Sequence, residues 1–103
     1  MARKIQKYAL GPDHLVARSG DGMRFVFDVP RGARPLDVQV QDYIGAPVIW
    51  FLVDDEVQPV RHAVSAVSTG ALVPYGVGAY VGTFQFQALV WHVFCAEQGA
   101  GEA

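Results

Sequence analysis

The sequence predicts an all-β domain, and three observations carry that prediction. Turn-forming clusters recur at short intervals: Gly11-Pro12-Asp13, Arg18 to Gly22, Pro30 to Pro35, Gly45-Ala46-Pro47, Asp54-Asp55-Glu56, Ser68-Thr69-Gly70 and Pro74 to Gly78. The stretches between them are too brief for ordinary helices and the right length for strands. Met23 to Val29 alternates strictly, with Met23, Phe25, Phe27 and Val29 on one side and Arg24, Val26 and Asp28 on the other, which is the period of a half-buried strand. Tyr80 to Phe86 and Leu89 to Cys95 are separated only by Gln87-Ala88, the spacing of a two-residue hairpin. About six to seven mostly antiparallel strands are expected, arranged as a sandwich or a barrel.

In chain order, Ile5 to Leu10 supplies an N-terminal strand, and Met23 to Val29 follows with its apolar face to the core. Leu36 to Ile44 alternates too, which places Leu36, Val38 and Val40 inward and Asp37, Gln39, Gln41 and Tyr43 outward. Val48 to Val53 is apolar on both faces, as in a central strand covered twice or a strand at an oligomer interface. Val60 to Val73 divides the signals. Val60, Ala63, Val64, Val67 and Ala71 fit helical spacing, whereas Pro59, the β-branched content and Thr69-Gly70 oppose a helix. The C-terminal hairpin completes the domain over 1–98, with 99–103 as a flexible tail.

A length of 103 residues allows one compact domain. With 51% apolar and 17% charged residues, the chain can build a core and does not read as disordered. The near-apolar run Tyr43 to Val53 is broken by Gly45 and Pro47 and is shorter than the ~18 residues a membrane span needs. The cations of Met1-Ala2-Arg3-Lys4-Ile5 are not followed by a signal-peptide apolar region, and the single Cys95 suits a reducing compartment. Charge is uneven. Positions 1–34 hold seven cations against three acids, a net +4, and the remainder has Arg61 against seven acids, a net −6. The overall −2 and a pI near 5.8 argue against nucleic acid as the main partner. The basic residues read more simply as guards of strand edges.

Several pieces, in this order, resemble an uncharacterised family of short proteins encoded by tailed phages and prophages. They are Ile5-Gln-Lys-Tyr8, Val29-Pro-Arg-Gly-Ala33, Val38-Gln-Val-Gln41, Trp50-Phe-Leu-Val-Asp54, Thr69-Gly70, Tyr80-Val-Gly-Thr-Phe-Gln85 and Leu89-Val-Trp-His-Val-Phe94. The resemblance implies a small β-rich phage accessory protein in the cytoplasm of an infected bacterial host, and strand character for Arg61 to Ser68. The sequence departs from the family pattern at the Gln87-Ala88 turn, at Cys95 after Phe94, and in the apolar Ala71 to Gly78 loop. The family brings no activity to transfer.

Catalytic machinery is not expected. Cys95 sits in the apolar run Trp91 to Ala96, and a strand turns His92 to the opposite face, so the two form no dyad. Three scattered histidines, His14, His62 and His92, show no zinc spacing, and Asp54-Asp55-Glu56 reads as a solvated hairpin tip. No cofactor and no metal are expected. The best binding candidate is the Gly-rich region from Thr69 and Gly70 through Tyr75 to Tyr80, Gly82 and Thr83. Glycines admit close approach, backbone N–H groups can receive an anion, and Tyr75 and Tyr80 offer stacking faces. Arg61 would supply a cation if its strand faces this loop, and His62, Trp91 and His92 would complete the pocket. Against this stands the plain alternative of a long connection whose tyrosines cover the core edge. Trp50, Phe51, Trp91 and Phe94 exceed what one small core requires, which suggests a homo-oligomer.

By analogy of context, the expected role is a non-enzymatic anti-defence protein that sequesters a nucleotide immune signal. The alternatives are a protein that blocks a host defence protein by direct contact and a small virion or assembly component. An enzyme cleaving a nucleotide signal would need Asp54, Asp55 or Glu56 to meet a histidine on a metal.

Overall fold

A computed structural model describes residues 2–19 and 22–98. Eight strands form: β1 (Arg3–Ala9), β2 (Leu15–Arg18), β3 (Gly22–Pro30), β4 (Arg34–Gln41), β5 (Ala46–Asp54), β6 (Pro59–Ser68), β7 (Ala79–Phe86) and β8 (Leu89–Glu97). The expected flexible tail at 99–103 lies outside the described residues. Two antiparallel sheets face one another, one ordered β1-β5-β4 and the other β2-β3-β6-β8-β7. The core lies between them. Phe25, Phe27, Val29, Val64, Val93 and Cys95 come from the larger sheet, and Val38, Ile49, Phe51 and Val53 from the smaller.

The alternation of β3 is realised as predicted, with Phe25, Phe27 and Val29 buried. The C-terminal hairpin also forms, and both turn residues take left-handed backbone, Gln87 at φ 53° and Ala88 at φ 67°, as a two-residue turn that follows strand twist demands. The sandwich is closed along one side, where β7 comes up to β4. A Cβ on Gly82 would meet Val38 Cγ1 at 3.0 Å and Asp37 Oδ1 at 3.2 Å.

Four expectations need correcting. The eighth strand, β2, is only four residues long, and Leu15 alone is even half-buried; so short and exposed an edge leaves no alternation to detect. Leu36 does not point to the core. The β4–β5 register shifts between Pro35 and Asp37, and this bulge leaves Leu36 exposed. Asp54-Asp55-Glu56 is not a hairpin tip but the corner at which the chain leaves one sheet for the other, since β5 pairs with β1 and β4 while β6 pairs with β3 and β8. Asp54 Oδ1 accepts the Glu56 N–H at 3.1 Å there, and Lys4 Nζ meets Asp55 Oδ2 at 3.3 Å. Finally, Pro59–Ser68 is strand throughout, so its helical spacing misleads while the strand implied by the resemblance is correct.

The reason for that false periodicity is the loop that follows β6. The chain leaves β6 at Ser68, paired with Trp91, and enters β7 at Ala79, paired with Cys95 toward the other end of β8. Residues 69–78 must therefore run along the outer face of the larger sheet. They cover Ala63, Ser65 and Val67, which are buried although they point away from the core. A strand buried on both faces loses its period of two.

Candidate functional site

The register of the larger sheet assigns each expected site residue to a face. On β6 the inward set is Val60, His62, Val64 and Ala66, and on β8 it is Trp91, Val93 and Cys95. Two members of the expected pocket are thereby removed. Trp91 belongs to the core, on the face opposite His92. His62 is only 1% exposed, packs its ring edge-on to Phe51 at 5.8 Å, and sets Nδ1 3.1 Å from the Val60 carbonyl oxygen. Its Nε2 approaches Glu97 Oε1 at 3.3 Å without hydrogen-bond alignment, while that same oxygen accepts the Gly32 N–H at 2.7 Å. His62 thus closes one end of the sandwich, shielded from solvent.

Three other expected residues do converge. Thr69 Oγ1 lies 2.8 Å from His92 Nε2, Thr83 Oγ1 lies 3.1 Å from His92 Nδ1, and the Tyr80 hydroxyl lies 2.6 Å from Thr83 Oγ1. In a neutral ring one nitrogen donates and the other accepts, and hydroxyls rotate to serve either. The array therefore holds His92 on both sides and ties the start of the 69–78 loop to the β7–β8 hairpin. Gly70 follows Thr69 at φ 92°, a left-handed turn that favours glycine. Thr83 belongs to the expected region, but residue spacing does not place it on one face with Tyr80. Strict alternation puts Tyr80 and Thr83 on opposite faces, but the β7–β8 register shifts between Tyr80 and Gly82, and this bulge returns both to the outer face.

Arg61 and Tyr75 lie on the other side of the loop. Arg61 and Thr69 sit at opposite ends of β6, roughly 26 Å apart at strand rise, so Arg61 does not join the array. Pairing of β3 with β6 instead sets Arg24, Val26 and Asp28 beside Ser65, Ala63 and Arg61. Two clefts follow this seam. One, of about 410 Å³, runs beneath Pro74 to Val77 and includes Tyr75 and Arg24. The other, of about 660 Å³, includes Arg24, Arg61, His14, Asp13 and Asp28. Arg24 lines both, so the two clefts adjoin at its side chain as a furrow in two parts. Among the described residues neither Arg24 nor Arg61 has a carboxylate within 4.0 Å. Tyr75 is fully exposed, so it does not cover the core edge. Arg24 was not legible because only non-local pairing brings it to Arg61.

Cys95 behaves as a packed core thiol. Burial first, and the Glu97 carboxylate second, push its pKa up to about 12. A thiol whose folded pKa lies above its unfolded value of 9.0 adds stability that is complete below pH 9 and lost as pH climbs toward 12. Native protein at pH 8 is expected to resist a thiol-specific disulfide reagent, while the denatured chain reacts with one equivalent. Rapid labelling of native protein would contradict this placement. Among the described residues no three of His, Cys, Asp and Glu gather as a metal site, and no helix is long and apolar enough to cross a membrane.

Comparison with curated proteins finds no match, and comparison with solved structures finds none either. A family model does match, over residues 1–103, and it spans every strand and both surface features described above. The chain therefore belongs to the family described as a domain of unknown function, DUF7352.

Proposed function

We propose that this protein is a non-enzymatic binding protein that captures a small nucleotide in the furrow between Tyr75 and Arg61. One observation carries the reading: two guanidinium groups, Arg24 and Arg61, with no carboxylate within 4.0 Å among the described residues, line a furrow with a fully exposed tyrosine ring at one end. Guanidinium forks suit phosphate oxygens, and Tyr75 offers a face for a base. Asp13 and Asp28 on the same wall provide acceptors for ribose hydroxyls. Captured without chemistry, a nucleotide signal would be withdrawn from its receptor, which in a phage setting is a counter-defence activity. The reading includes a homo-oligomer, for which the outer face of the smaller sheet offers Ile5, Leu52 and Trp50, set among Lys7, Arg34 and Asp37.

The test is native mass spectrometry with thermal-shift screening of cyclic di- and trinucleotides and ADP-ribose derivatives. A cognate ligand at about 100 times its Kd is expected to stabilise the protein by about 2.7 kcal/mol, and Arg24→Gln with Arg61→Gln is expected to abolish the shift. Indifference to every nucleotide would discard this reading. A second reading rests on Leu72 and Tyr75, both fully exposed on one loop, an arrangement suited to blocking a host protein by contact. In that case Leu72→Asp would abolish partner capture while Arg24→Gln would not.

A further inference from the structure

The two sheets are unequal, three strands against five, so the smaller cannot cover the inner face of the larger completely. The uncovered part lies where β3 begins and the β7–β8 hairpin turns. The Leu10 to His14 segment, with a 3₁₀ turn at Pro12–His14, bridges this end in place of a strand. Beneath it the core opens into a cavity of about 500 Å³ lined by Leu10, Leu15, Met23, Phe25, Phe86 and Trp91. Leu10, Phe25 and Trp91 in its floor keep 4–7% of their surface exposed.

The rim is as informative as the walls. It carries Arg18, Ser19, Gln87 and Leu89, and among the described residues no acidic side chain. Arg18 has no carboxylate within 4.0 Å among the described residues. A volume between about 300 and 1,000 Å³, mostly apolar walls and a few placed polar groups are the features of a small-molecule site. We infer that this mouth binds an amphipathic anion, a molecule with an aliphatic body and a single carboxylate head, its chain among Phe25, Phe86 and Trp91 and its head on the Arg18 guanidinium. The assignment does not rest on the nucleotide reading, although Arg18, Ser19 and Met23 also border the cleft beneath Pro74 to Val77.

Calorimetric titration of the purified protein with decanoate, with decanol as the neutral counterpart, tests it. Saturable binding of decanoate at one per protomer is expected, with decanol at least about tenfold weaker for want of the charged head. Arg18→Gln is expected to bring decanoate down to the decanol affinity. Leu89→Trp, at a half-exposed rim position where folding tolerates a larger side chain, is expected to plug the mouth and abolish both, with the circular dichroism spectrum unchanged. The inference is overturned if decanoate does not saturate, if decanol binds equally well, or if Leu89→Trp binds as the parent does. Loss of decanoate binding with nucleotide shifts retained would strike this site and leave the furrow standing.

Discussion

Gly78→Ala is expected to cost more than any other single methyl group in the protein. A Cβ at this position would overlap the Cys95 carbonyl oxygen and lie 2.6 Å from its carbon and 2.8 Å from Ala96 Cβ. None of these neighbours is the free end of a flexible side chain. The backbone is also left-handed there, at φ 89°, which alone costs a residue with a side chain about 1–2 kcal/mol. Relief requires the start of β7 to lift off β8, and with it the loop that covers Ala63, Ser65 and Val67. The expected loss is at least about 3 kcal/mol, a large fraction of the 5–15 kcal/mol typical of a domain. Gly76 provides the control. It is also left-handed, at φ 78°, but a Cβ there has nothing within 4 Å, so Gly76→Ala should lose only the backbone term of about 1–2 kcal/mol. Urea unfolding of both variants decides the matter, and equal midpoints would show that the close approach to Cys95 contributes nothing.

Phe51→Ala is expected to lower stability by about 3–5 kcal/mol. Phe51 is fully buried at the centre of the smaller sheet. Its ring packs edge-on against Tyr8 of its own sheet at 5.6 Å and against His62 of the facing sheet at 5.8 Å, so it ties the two sheets together. Truncation leaves a void that neither sheet can collapse to fill without losing register. For a domain of this size the loss corresponds to a melting-temperature drop on the order of 12–40 °C. A drop of only a few degrees would mean that the two sheets depend on each other far less than the packing indicates. Trp50→Ala makes the contrast, because Trp50 lies on the outer face and is only half-buried. Its truncation should cost less in the monomer, and its effect should grow wherever copies associate.

The candidate site was partly legible. Thr69, Gly70, Tyr80 and His92 lie within short motifs, and two local events assemble them: the turn after β6 and the β7–β8 hairpin. Thr83 lay in the expected region too, but a bulge hid that it shares a face with Tyr80, since one extra residue reverses which face each later side chain takes. Arg24 was hidden for a different reason. It meets Arg61 only through β3–β6 pairing, and nothing local in either segment specifies that partner. His62 and Trp91 lie on the inward faces of their strands, and parity alone separates them from His92 and the 69–78 loop.

By itself, the sequence determined the strand class, the inward face of β3 and the position of the C-terminal hairpin. These rest on alternation and turn chemistry, which act within a few residues. Only the tertiary structure decided the division into sheets of three and five strands, the route of residues 69–78 across the outer face, and the opening at Leu10 and Trp91. Each of these depends on which distant strands pair and on what then covers them. The clearest case is β6, where the covering loop buries the outer face, erases the period of two and leaves a helical pattern in a strand.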